Sequence, residues 1–255
     1  IMHKIHSGYI SFRKVTIAEG LSTHSALRIV DNASGLIGSL PETVAEGSLL
    51  PETYFYSYND TKIAVIKRMQ DAMKKTVDDL WEDRDLSIPV KTKRDAVILA
   101  SIVEKESGIP EERPKVASVF TNRLRKSMRL QSDPTIIYSF TKGDKSLERI
   151  IRRSDINNKS RFNTYHIYGL PPTPIANPGI EAIKAVLNPI ESNYIYFVAT
   201  EDGDHHFSPT LKEHNKYVVK YRRYLRKERL KLTKIQLQRR KRRICRKIDQ
   251  TYAKT

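Results

Sequence analysis

The sequence predicts an α+β protein: a helix-rich domain with a small β-sheet, a mixed α/β accessory region before it and a basic helix after it. Three observations carry this prediction. Lys62–Trp81 and Lys93–Ser107 repeat apolar residues at helical spacing. Tyr194–Ala199 is a short aromatic and aliphatic run that ends at a turn. Residues 221–255 hold fifteen Lys and Arg against two acids, Glu228 and Asp249. These features divide the chain at 1–86, 87–220 and 221–255.

In the first region, apolar residues recur at spacing two over part of Tyr9–Ile17, which predicts a strand. Gly20-Leu-Ser-Thr supplies a turn and a helix start, and Leu49–Tyr56 is an aromatic run broken by a proline. Ile63, Ile66, Met69, Met73, Val77 and Leu80 then mark one face of the helix Lys62–Trp81. In the second region, the helix Lys93–Ser107 stops at Gly108, with Pro110 just beyond. Pro114–Met128 is a helix with Val116, Val119, Phe120 and Leu124 on its apolar face. Leu130–Tyr138 reads as extended at Ser132 and Asp133, because a proline follows. Asn163–Gly179, with four prolines, is a shaped loop. A helix at Gly179–Leu187 follows, then the strand Tyr194–Ala199, a turn, an extended run at His206–Ser208 and a helix starting at Lys212–Lys220. In the third region, Leu230, Leu237 and Ile244 recur every seven residues on a basic segment.

Composition excludes several classes. The 255 residues, 39% hydrophobic and 29% charged, suffice for a core and do not fit a fully disordered chain. No run of eighteen apolar residues is present, so no membrane-spanning helix is expected. Ile1–Tyr9 lacks the apolar centre of a signal peptide, and a strand starting so close to Ile1 leads us to expect missing upstream sequence. The single cysteine, Cys245, rules out an internal disulfide and a cysteine-built zinc site. The net charge of +17 is concentrated in the tail at +13, leaving +4 on the other 220 residues. Nucleic-acid binding by the body therefore loses most of its support.

The most informative stretch is Asp95–Ser107. On a helix, Glu106 follows Ile102 and Val103 by one turn and Leu99 by two, which places it within the apolar stripe. Glu104 falls on the opposite flank, near Ser101 and Val97. Burial disfavours a charged carboxylate, and a carboxyl kept protonated can donate its proton to a leaving oxygen. The helix alone leaves the plainer alternative open, in which Glu106 reaches solvent or pairs with an arginine.

Leu99-Ala-Ser-Ile-Val-Glu-Lys-Glu-Ser107 resembles the helix that carries the catalytic Glu of the endolytic murein transglycosylases of the MltG (YceG-like) family. The likeness continues through Lys115–Leu124, Met128–Thr135, Asn163-Thr-Tyr, Gly169-Leu-Pro-Pro, Pro174–Gly179, Tyr194–Val198 and His205–Asn215. Several ordered motifs covering about Val15 to Arg223 make it specific. The resemblance implies cleavage between N-acetylmuramic acid and N-acetylglucosamine, with Glu106 as acid and then base and a 1,6-anhydro end as product. That chemistry needs one tuned carboxyl and no metal or cofactor, since the attacking hydroxyl belongs to the substrate. It also implies glycan strands as partner, cell-wall synthases as candidate partners, a monomer, and a place in the bacterial envelope. Full-length family members are anchored in the inner membrane and face the periplasm. The membrane helix is absent from this chain, and 1–86 would be a LysM-like remnant.

The remaining site candidates carry alternatives. Ser107 follows the acid and extends the Glu-Ser likeness. Gln131, Asp133 and Thr135 form a polar cluster suited to sugar hydroxyls, or a turn that caps its own backbone. An Asp133 carboxylate directly across from Glu106 would favour a retaining hydrolase instead. Asn122 is a cleft donor or an internal hydrogen-bonding group. Asn163 and Tyr165 are candidates for a carbohydrate wall, with plain packing as the alternative. His205, His206 and His214 fit no zinc spacing, so His205 is assigned to a cleft or structural role. The tail is either a solvated helix or partly disordered, or else a contact for anionic lipid heads or polyanions. A wall- or polyanion-binding protein without catalysis is the competing function.

Overall fold

The computed structural model describes residues 12–144 and 147–252, and side chains only as far as residue 231. It is an α+β structure, with two small antiparallel sheets among helices. The chain forms two compact units that divide between Asn193 and Tyr194.

The first unit opens with β1 (Arg13–Thr16), and the beginning of the expected strand, Tyr9–Ser11, lies outside the described residues. Helix α1 (Thr23–Asp31) starts at Ser22, whose side chain accepts from the Ser25 N–H as an N-cap. Strand β2 (Thr53–Tyr56) pairs antiparallel with β1, Val15 opposite Tyr54. Helix α2 (Lys62–Glu82) is capped by Thr61. Its apolar face buries Val65, Ile66, Met69, Met73 and Val77, the first three of which join Val15, Ile17, Val30 and Tyr56 in one core.

Helix α3 (Lys93–Glu106) is buried on most sides, from Ala96 through Val103, and is capped by Thr92. A 3-10 turn at Pro110–Glu112 leads into α4 (Arg113–Arg125). Next comes α5 (Asp133–Thr141), whose first residue was expected to be extended. Ser132 is extended, as its place before Asp-Pro predicts, but Asp133 already starts the helix and Pro134 occupies its first turn. Proline lacks only an N–H that the first turn leaves unbonded anyway. After α6 (Arg153–Ile156), the loop expected at Asn163–Gly179 holds no helix or strand, and α7 (Ile180–Leu187) follows. Helices α3, α4 and α7 pack together through Leu99, Ile102, Val116, Phe120, Ile183 and Val186, all fully buried.

The second unit pairs β3 (Tyr196–Ala199) with β4 (His205–Ser208) antiparallel. Helix α8 runs without a break over Leu211–Tyr252 and packs on that hairpin, Tyr196 stacking on His214. The basic tail and the helix starting near Lys212 are therefore one helix. Its Leu230 is exposed, while the side chains of Leu237 and Ile244 lie outside the described residues. No helix among the described residues is long and apolar enough to cross a membrane.

Candidate active site

The last turn of α3 holds both candidate acids, and the structure revises their environments. The Glu104 side chain is 5% exposed. It pairs with Arg113 at 2.8 Å and accepts the Gly179 N–H at 3.0 Å, while the same Arg113 holds Glu19 at 2.7 Å. Desolvation by this burial pushes the Glu104 carboxyl above its ordinary value, and the Gly179 N–H and the Arg113 charge offset only part of that push. A Cβ at Gly179 would fall 1.9 Å from the Glu19 carboxylate, so a larger residue there would require the Glu19 side chain to swing away. Glu104 thus joins three chain segments and is committed to the fold. Glu106, the last residue of α3, is half-buried. The helical pattern placed Glu104 on the flank opposite the apolar stripe. It counted only neighbours on the same helix, whereas Arg113, Glu19 and Gly179 come from elsewhere in the chain.

Around Glu106 the fold gathers Tyr165 and Asp133. The Tyr165 hydroxyl donates to Asp133 Oδ1 at 2.7 Å. Burial raises the pKa of this phenol, and the nearby carboxylates of Asp133 and Glu106 raise it further. Tyr165 therefore stays protonated as a donor. Asp133 is exposed at the first turn of α5, where the helix dipole favours a negative charge. Gln131 is exposed beside it with φ of 50°, and its N–H donates to the Thr164 carbonyl.

Other expected contacts face inward. Thr135 is fully buried and donates to the Ser132 carbonyl at 2.6 Å, with the Thr164 hydroxyl 2.9 Å away. Asn163 is also fully buried. Its amide donates to the Ile156 and Asn158 carbonyls, and its Oδ1 accepts the Tyr165 N–H at 3.0 Å. Ser107 is buried and donates to the Ile109 carbonyl at 2.7 Å. With no surface to offer a sugar, Thr135 and Asn163 hold the Asp133–Tyr165 pair in place. Asn163→Ala is expected to cost about 2 kcal/mol, since two partly buried carbonyls and the Tyr165 N–H lose their partner together. Urea unfolding of the variant measures this directly.

Asn122 is buried in α4 and donates to the Ser192 carbonyl at 2.9 Å, which matches its internal hydrogen-bonding alternative. His205 belongs to the second unit, on β4, with its ring edge-on to Phe197. Among the described residues, no three His, Cys, Asp or Glu side chains cluster as metal ligands would. One residue missed at the sequence level is Arg123. It is buried, donates to the Leu130 carbonyl at 2.6 Å, and its charge reaches Tyr165. Its signal was present: Arg123 continues the apolar row Val116, Val119, Phe120 at helical spacing, a charge where an aliphatic is expected.

The fold and site define an α+β protein with a half-buried acid at the end of a core helix, next to a carboxylate–tyrosine pair. A YceG-like family profile matches residues 1–220, and the chain belongs to that family. It is 36% identical over 176 residues to an endolytic murein transglycosylase of Bacillus subtilis, covering 69% of this chain and 48% of that protein. A Streptococcus pneumoniae protein of the same name is 31% identical over 181 residues, covering 69% and 32%. The chain thus spans about half the length of the first relative and a third of the second. A crystal structure of a YceG-like protein from Listeria monocytogenes superposes with a TM-score of 0.65 at 28% identity, covering 84% of this chain and 79% of that one.

Proposed function

We propose that this chain carries the catalytic part of a lytic murein transglycosylase, with Glu106 as its acid and base. The observation that supports this most is the cluster at the end of α3: half-buried Glu106 lies close enough to Tyr165 for its charge to raise that phenol's pKa, and Asp133 accepts a hydrogen bond from the same Tyr165. In this reading the Glu106 carboxyl protonates the oxygen linking N-acetylmuramic acid to N-acetylglucosamine as the C1–O bond breaks. The resulting carboxylate takes the proton of the muramyl C6 hydroxyl, whose oxygen bonds to C1. The proton lost in the first step is regained in the second, and no water is consumed. Because nucleophile and carbon lie in one sugar, proximity supplies much of the acceleration. Asp133, Tyr165 and Gln131 orient sugar hydroxyls, with Ser107, Asn122 and His205 as further candidates, and Thr135 and Asn163 support the wall. Purified chain added to isolated murein sacculi is expected to release soluble glycan. Binding to sacculi without release favours a wall-binding module instead.

The division into an accessory region (1–86), a catalytic region (87–220) and a basic tail (221–255) belongs to the same proposal. So do a monomeric state, an envelope location facing the periplasm, and cell-wall synthases as partners; light scattering of the purified chain tests the first. The tail is assigned to anionic membrane, since each Lys or Arg near such a surface adds about 1 kcal/mol. Deleting residues 221–255 is expected to abolish retention on phosphatidylglycerol vesicles while glycan release persists. Unchanged retention excludes this role.

A further inference from the structure

Among Gly20, Lys105 on α3 and Ile137 on α5 lies a cavity of about 450 Å³. Its apolar lining includes Leu21, Pro134, Ile137 and Ile175. Two of its lining residues adjoin the site in sequence: Lys105 precedes Glu106 in the last turn of α3, and Pro134 follows Asp133 in the first turn of α5. The cavity lining and the site residues are thus consecutive in the chain at both helix ends. Lys105 is exposed, and its ammonium makes one contact, to the Gly20 carbonyl at 3.2 Å. Two of its three donors remain for a ligand. The acid at the rim, Asp144, lies 2.9 Å from His24 Nε2.

Resting on the reading of the site as a murein transglycosylase, we infer that this cavity receives the peptide branch of the substrate. Murein carries, on its muramyl sugars, a short peptide that combines methyl groups with free carboxylates. An apolar recess with one available ammonium at its rim matches that combination. Its position explains how a peptide on the sugar being cut can be read while the glycosidic bond sits at Glu106. A bare polysaccharide would fill the recess poorly, because it offers neither aliphatic side chains nor a carboxylate for Lys105.

The test measures binding, so it does not depend on turnover. The full chain carrying Glu106→Gln is titrated with soluble glycan strands bearing their peptides, and with the same strands after an amidase has removed them. Peptide-bearing strands are expected to bind about tenfold tighter, the scale of one hydrogen-bonded charge contact. Lys105→Glu, which reverses the rim charge, and Ile137→Trp, which fills the recess, should each bring that ratio to near one. Equal binding of the two strands, no binding of either, or a ratio that survives both variants overturns the inference. Release of glycan by the unmutated chain reports separately on the transglycosylase reading.

Discussion

Glu106→Gln is expected to lower glycan release by about 10³-fold while leaving the melting temperature near that of the unmutated chain. General acid–base catalysis by a positioned carboxyl is worth 10² to 10⁴ in rate, and here one group serves both proton transfers. The fold should tolerate the change, because Glu106 is a half-buried terminal helix residue and Gln preserves its shape. Glu104→Gln provides the contrast. Its amide oxygen can still accept the Gly179 N–H, but the charge facing Arg113 is gone. Stability should fall, and the folded fraction should still cut glycan. Rates normalised to folded protein separate the two acids, and equal cleavage by both variants would remove Glu106 from its role.

Arg113→Ala is expected to produce the largest loss of stability at any residue outside the aliphatic core, about 3–5 kcal/mol, because it strands the buried Glu104 carboxylate without its cation. The Glu19 partner is lost as well, but that carboxylate is 41% exposed and can turn to water. The loss should depend on pH. The Glu104 carboxyl already titrates above its ordinary value because it is desolvated, and the Arg113 charge holds it down in part. Without Arg113 it rises further. A carboxyl with a raised pKa binds its proton more tightly folded than unfolded, so its contribution is fullest below the ordinary carboxylate range and is lost as pH rises through the raised value. The deficit of Arg113→Ala should therefore be greatest at neutral pH and shrink as the solution is acidified. Guanidinium unfolding at several pH values measures it, and a deficit independent of pH contradicts the assignment.

The features legible in the sequence were those set by local rules. Helix α2 follows its apolar spacing over nearly its whole length, and α3 ends before Gly108 and Pro110 as expected. The long loop at Asn163–Gly179 was legible from its prolines. Helix α5 was not, because an Asp-Pro pair marks an extended residue and a helix start equally well, and only the packing of Ile136 and Tyr138 decides. The site divides in the same way. Glu106 and Asp133 carried local signals, a carboxylate near aliphatics and a Pro-bent polar run, but each left a plainer alternative open that only the family resemblance weighed against. The inward turn of Thr135 and Asn163 was not legible, because their partners, Thr164 for one and Ile156 and Asn158 for the other, are fixed only when two loops meet. The shelter of the Glu104 carboxylate depended likewise on Arg113 and Gly179.

The claim that matters most is that one carboxyl works with a nucleophile inside the substrate, and not with water. Digesting murein with this chain in heavy-oxygen water and weighing the new glycan ends by mass spectrometry tests it most directly. The account predicts anhydro-muramyl ends free of heavy oxygen. Reducing ends that carry heavy oxygen would contradict it, and would instead make Asp133 the second carboxylate of a hydrolase.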